Sequence, residues 1–202
     1  MNQGKRTILG ATCSELGLLL LGGCGGGGGA ASSSPAAAPA AAYATVLSYS
    51  NPPLGGYSLQ AEPASNGTAH LVLDLVGPAG TVAQGVSFFL TADPAMVSWS
   101  QQGSAYAAPG TVFSLGSAPQ AFVTQVTAGG GLQVGIYQKS GTATYGSAPL
   151  VTLALDLKPA AVSPGSAVAL APSAGQQAVF LDPNGAVEAF PEAIAIGGLV
   201  AH

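Results

Sequence analysis

Leu150-Val151-Thr152-Leu153-Ala154-Leu155-Asp156-Leu157-Lys158 alternates large aliphatic residues with smaller or polar ones from Val151 onward. Val151, Leu153, Leu155 and Leu157 fall on one side of an extended chain. Thr152, Ala154, Asp156 and Lys158 fall on the other. Successive side chains of a strand point to opposite faces, so this period of two predicts a strand with one buried face. Pro159 ends it, because proline has no amide to give to a ladder. The same alternation recurs on either side. Leu132-Gln133-Val134-Gly135-Ile136-Tyr137 alternates, which turns Tyr137 away from the core. Val86, Phe88 and Leu90 alternate with Ser87, Phe89 and Thr91, and Leu71, Leu73 and Leu75 place Asp74 on the opposite face. Ile194-Ala195-Ile196 reads as a closing strand.

Turn chemistry separates these runs. In Asp182-Pro183-Asn184-Gly185 the proline presets φ and Asn-Gly tolerates positive φ. Phe180-Leu181 and Ala186-Val187 should therefore pair as a hairpin. The 202 residues include 30 glycines and 15 prolines, a density that suits short strands better than long helices. The nearest helical candidate, Ala160 to Ala171, is broken by Pro159, Pro164 and Pro172. The expected fold is all-β: a two-sheet jelly-roll sandwich of about nine strands, each with one buried face.

The N-terminal part has a different character. Lys5 and Arg6 precede an apolar run, Leu16 to Leu21, that closes in Leu21-Gly22-Gly23-Cys24. This pattern resembles the signal and lipobox of bacterial lipoproteins: an aliphatic residue, two small ones, then cysteine. Glu15, at the edge of the apolar run, departs from the usual pattern. The resemblance implies cleavage before Cys24, lipidation of Cys24, and localisation in the bacterial cell envelope. No acidic residue directly follows Cys24, which in a two-membrane bacterium resembles the pattern of outer-membrane sorting. Gly25–Gly29 and the Ala/Ser/Pro-rich sequence after it read as a flexible tether. Such a tether gives a reach of roughly 25–35 Å. The expected organisation is a signal over residues 1–23, a lipidated tether over 24–45 and a β-sandwich over 46–202.

With that organisation in place, the segment order of the folded part resembles the cohesin family. Gly85-Val86-Ser87-Phe88-Phe89-Leu90-Thr91-Ala92-Asp93-Pro94-Ala95-Met96-Val97 is similar to a cohesin strand followed by an Asp-Pro turn and an aliphatic strand start. Leu132–Ile136, Leu150–Lys158, Phe180–Asp182 with Gly185, and Ile194–Gly197 resemble later cohesin segments. The match covers roughly residues 66–200, and it extends to the cellulose-binding modules that share the jelly-roll sandwich. The resemblance implies a non-catalytic binding or assembly module. Cohesins present a flat sheet face to a dockerin module, whereas the carbohydrate-binding relatives stack exposed aromatics on sugar rings. Fold alone does not choose between them.

Charge narrows the range of partners. Only 6% of residues are charged, against a usual value of about 25%. Without residues 1–23 the basic side chains are Lys139 and Lys158, and the formal charge moves from −4 to −5. Neutralising phosphates takes many lysines and arginines, so nucleic acid is excluded as a partner, as is polybasic attachment to anionic lipid.

No residue pattern calls for catalysis. His70 reads as a surface strand residue, no Gly-x-Ser-x-Gly elbow occurs, and no two carboxylates are singled out as a glycosidase pair. No metal site is expected: Asp182 and Asn184 are explained by their turn, and His and Cys do not cluster. Asn66-Gly67-Thr68 matches a glycosylation acceptor and reads as a turn. No cofactor and no enzymatic activity are expected. The candidate ligand face comprises Tyr106, Tyr137, Tyr145 and Trp99, the last of which is also a candidate core residue. The ligand is a protein or a polysaccharide. The alternatives are a purely structural envelope lipoprotein and a glycan-active hydrolase. A coplanar aromatic row would favour sugar. A flat face poor in charge and aromatics would favour protein or structural packing.

Overall fold

The computed structural model describes residues 42–113, 120–138 and 141–202. The expectations for the signal, for Cys24 and for most of the tether lie outside these residues. The described chain forms strands β1 (Leu47–Ser50), β2 (Ser58–Ala61), β3 (His70–Val76), β4 (Val82–Ala83), β5 (Gly85–Ala92) and β6 (Val97–Trp99). There follow β7 (Ala107–Pro109), β8 (Gln120–Thr127), β9 (Gly131–Gln138), β10 (Ala143–Thr144) and β11 (Val151–Leu157). The last are β12 (Ser166–Ala167), β13 (Leu170–Pro172), β14 (Val179–Leu181), β15 (Val187–Ala189) and β16 (Gly198–Ala201).

Two sheets carry the sandwich. One runs β2-β3-β11-β6, with β7 also on β11; the other runs β15-β14-β5-β9-β8, with β13 also on β5. A three-stranded sheet, β1-β16-β12, and the β4–β10 pair complete the fold. Sixteen segments replace the expected nine or so because local breaks divide longer runs. Gln84 separates β4 from β5 while still bonding Leu181 and Gln138 through its main chain.

The alternation seen in the sequence becomes the core. Val151, Leu153 and Leu155 of β11 pair with Leu75, Leu73 and Leu71 of β3, and all six are completely buried. Val86, Phe88 and Leu90 of β5 pair with Ile136, Val134 and Leu132 of β9, also buried. Each such side chain contributes about 1.5–3 kcal/mol by leaving water. The Asp182 hairpin forms as expected: Leu181 pairs with Val187, Asp182 Oδ1 accepts from the Asn184 and Ala186 amides, and Gly185 takes a φ of 81°. Asp93 caps the Asp-Pro turn, accepting from the Ala95 amide.

One expected strand lies elsewhere. The closing strand is Gly198–Ala201 rather than Ile194–Ile196, where only Ala195 makes a bridge, to Ser58. Asn66 does sit in a turn, but its amide also clamps β1: it accepts from the Tyr49 N–H and donates to the Tyr49 carbonyl. The chain joins the domain by Ala44, whose N–H bonds the Val162 carbonyl.

Tyr145 also departs from its expected place. It is buried in the core beside Tyr57 and Phe113, not exposed on a loop. Tyr57 stacks on Phe190 with ring centroids 3.4 Å apart. The Tyr57 and Tyr145 hydroxyls are buried, and neither closes a hydrogen bond of normal geometry. Burial pushes the Tyr57 phenol up to about 12 and also raises Tyr145, where the neighbouring Tyr57 adds to the effect. Both phenols hold their protons more tightly in the folded chain than the unfolded one. Their contribution is therefore complete below about pH 10, the ordinary phenol value, and is lost as pH rises through the folded values. The domain should unfold on alkaline titration above about pH 10. The Tyr57→Phe/Tyr145→Phe double variant should be nearly as stable at neutral pH and should keep its circular-dichroism signal to higher pH. An unchanged alkaline midpoint would refute this.

Candidate functional site

The two outer faces of the sandwich differ in chemistry. On the β3–β11 sheet, cross-strand register places Gln60, Asp74 and Thr152 in one row, and His70, Asp156 and Ser98 in another. Thr152 donates to Asp74 at 2.6 Å, and His70 Nδ1 lies 2.5 Å from Asp156 Oδ1. Partial burial raises the Asp74 carboxyl above its usual range; the Thr152 bond opposes the rise and the Glu62 charge adds to it. The His70–Asp156 pair is about half exposed, and such a pair is worth about 0–1 kcal/mol. The neighbouring hydroxyl, Thr68 Oγ1, donates to the His70 main-chain carbonyl. It is not bonded to the His70 ring, so this contact provides no base-activated nucleophile. Among the described residues, no three His, Cys, Asp or Glu side chains gather as a metal site.

Among the described residues, the opposite outer face, on the β5–β9 sheet, carries no charged side chain. Reading across β8, β9, β5 and the β13/β14 edge, one row is Thr127, Gly131, Thr91 and Ala171. The next contains Gln125, Gln133 and Phe89. A third is Val123, Gly135, Ser87, Val179 and Ala189; a fourth is Ala121, Tyr137, Gly85, Leu181 and Val187. Val123 and Val187 are well exposed, at 55% and 65%. Phe89, Tyr137 and Leu181 are half-buried. Glycines at three of these positions keep the surface low. At Gly85 a Cβ would overlap the Ile136 carbonyl oxygen and the Tyr137 Cβ, so the close approach of β5 and β9 needs glycine there.

The four aromatic candidates do not form one face. Tyr137 points outward, as its parity required, but stands on the uncharged sheet without a second tyrosine beside it. Tyr145 is in the core. Trp99 is 6% exposed, on the inner side of β6, and its Nε1 donates to the Gly130 carbonyl at 2.8 Å. Trp99 and Tyr106 do meet, together with Val126 and Lys158, in a cavity of about 300 Å³ at one end of the sandwich. The Lys158 amine there is already bonded to the Pro94 carbonyl. The uncharged face lies apart from three of these four aromatics. The signal for it was present: the odd-numbered residues of Gly85–Thr91 and Leu132–Tyr137 include no charged side chain.

The chain path is similar to that of cohesin domains. The sixth cohesin of scaffoldin B from Acetivibrio cellulolyticus, solved with a Cel5 dockerin mutant, is 15% identical; the match covers 77% of this chain and 98% of that one, with a TM-score of 0.47. A type II cohesin from the cellulosome of the same organism is 10% identical over 78% and 95%, with a TM-score of 0.49. A non-cellulosomal cohesin from the archaeon Archaeoglobus fulgidus is 11% identical over 78% and 91%, with a TM-score of 0.44. No protein-family profile and no curated protein sequence matches the chain. These likenesses concern the path of the chain and assign it no activity or ligand.

Proposed function

We propose that the domain is a non-catalytic protein-binding module, held at the bacterial envelope by lipid on Cys24, that presents the uncharged outer face of the β8-β9-β5-β14 sheet to its partner. The observation that carries this reading is the composition of that face. It is low, glycine-bearing and, among the described residues, free of charge, with Phe89, Val123, Tyr137, Val179, Leu181 and Val187 as its larger apolar side chains. A surface of this kind loses little on desolvation and suits another protein. Sugar recognition asks for exposed stacked rings, and Trp99 and Tyr145 are buried. The cohesin resemblance in the sequence makes a compact dockerin-type module the expected class of partner. Lys5, Arg6, the Leu16–Leu21 run and Leu21-Gly22-Gly23-Cys24 support the anchor.

The test is a capture experiment on envelope and secreted proteins, run beside a polysaccharide panel. The wild-type chain should retain a protein that is lost from Phe89→Asp/Leu181→Asp and kept by His70→Ala/Asp156→Ala on the opposite sheet. Retention by the Phe89/Leu181 variant, or of a glycan instead of a protein, would overturn the reading. For the anchor, Cys24→Ala should release the chain from membranes. Continued firm association would sink that part.

A further inference from the structure

Among the described residues, all but one of the exposed edges of the two main sheets are guarded. At the β2 edge, the Ala195 segment bonds the Leu59 amide and the Tyr57 carbonyl. The β6/β7 edge is divided into two three-residue pieces, the second ending in Pro109. On the far side of the other sheet, β13 ends in Pro172, and β15 is three residues long with exposed Glu188 at its centre. Short strands, prolines and charges are the usual devices that stop one edge pairing with another.

β8 has none of them. Gln120-Ala121-Phe122-Val123-Thr124-Gln125-Val126-Thr127 is eight residues long, without charge or proline, and rich in β-branched side chains. Its main-chain bonds among the described residues are those to β9. Which groups it leaves free follows from the ladder. The Gln138 amide bonds Gln84 and the Gly130 carbonyl accepts from Ala92, so even-numbered β9 residues direct their main chain at β5. Odd-numbered β9 residues therefore face β8, through Ala121, Val123, Gln125 and Thr127. Phe122, Thr124 and Val126 are left with N–H and C=O groups pointing away from the sheet. The Thr124 hydroxyl accepts from the Tyr106 amide, and among the described residues no group bonds the Thr124 main chain on that side.

We infer that β8 pairs antiparallel with β8 of a second copy of this chain, about a twofold axis at Thr124. The occupant is a second copy because the edge is self-complementary. With Thr124 opposite itself, Phe122 faces Val126 of the other copy and Val123 faces Gln125 of the other copy. Phe122 and Val126 are only half-buried against the core of the single chain, and each completes the other's cover. Val123 is 55% exposed and gains a neighbour on the outer face. Such a contact is isologous and closes as a dimer. The chain carries a net charge of −4, yet this edge contributes no charged side chain to the repulsion between copies. The carboxylates of Asp182 and Glu188 belong to the hairpin at the opposite edge of the same sheet. Pairing joins two uncharged outer faces into one continuous surface.

The experiment is sedimentation of the full chain in density-matched detergent. The wild-type chain should be a dimer that dissociates on dilution. Val123→Glu/Gln125→Glu sets two glutamates opposite each other twice, by symmetry, and should raise the dimer dissociation constant about tenfold or more. Val123→Glu/Gln125→Lys turns the same two contacts into opposite-charge pairs and should restore the dimer. Both substitutions are on the exposed side of β8, and circular dichroism checks that each variant folds. A wild-type chain that stays monomeric at all concentrations would overturn the inference, as would a Glu/Glu variant that stays dimeric. Failure of the Glu/Lys variant to recover would overturn the register. Capture through Phe89 and Leu181, two and three strands from this edge, is read separately.

Discussion

Phe88→Ala is expected to cost about 3–5 kcal/mol of unfolding free energy, while Phe89→Ala, one residue along, should cost about 1 kcal/mol or less. Phe88 is fully buried between the two sheets, opposite Val134. Its truncation loses the transfer energy of a phenyl ring and leaves a cavity among residues held by their own ladders. Phe89 points to the other side of the same strand, opposite Gln133 on the uncharged face, where it is half-exposed. Urea midpoints of the two variants, with unchanged denaturant slopes, measure the difference. Equal losses would mean that β5 does not keep its parity, and the assignment of the uncharged face would fall with it.

Gly130→Ala is expected to cost about 2–4 kcal/mol, by combining backbone strain with overlap. Gly130 holds a φ of 82°, where a Cβ is disfavoured, and that Cβ would run into the Ala92 carbonyl oxygen. Its own carbonyl accepts from both the Ala92 amide and Trp99 Nε1. A shift at Gly130 therefore disturbs the β8–β9 turn and the seat of the only tryptophan together. The variant should show a lowered urea midpoint and a red-shifted tryptophan emission as Trp99 gains water. A stable variant with unshifted emission would contradict the packing described for this end of the sandwich. Gly129, whose φ is 87° with open space around it, is the control: alanine there meets strain without overlap and should cost less.

Much of the sandwich can be read from periodicity because its physical cause is local. In Leu150–Lys158, in Val86–Leu90 and in Leu71–Leu75 the large aliphatic residues recur at every second position. The structure buries Val151, Leu153 and Leu155, Val86, Phe88 and Leu90, and Leu71, Leu73 and Leu75 on that face, while Val72 and Phe89 are apolar residues on the other. Asp182-Pro183-Asn184-Gly185 carries its geometry within four residues. Tyr145 was unreadable for the opposite reason. It is outside any long alternating run, and its burial comes from Tyr57 and Phe113, which are remote in sequence. Trp99 suits both a core and a ligand face by composition, and only the Gly130 carbonyl at its indole nitrogen places it in the core. The last strand was misplaced because Ile194 and Ile196 have strand composition, yet only a single bridge forms there, to Ser58.

Charge had to be read across strands. Each β5 or β9 residue shows by itself that it is uncharged, but only register brings Val123, Gly135, Ser87 and Val179 into one row. Unpaired main-chain groups are likewise a property of position in a sheet, and Gln120–Thr127 reads as any other strand until β9 is found on one side of it. The sequence by itself determined the all-β class, the parity of the main strands and the low charge content. All of these are local patterns or totals. Tertiary structure alone decided which face is free of charge, which aromatics are buried and which edge is open, because those depend on contacts between residues far apart in the chain.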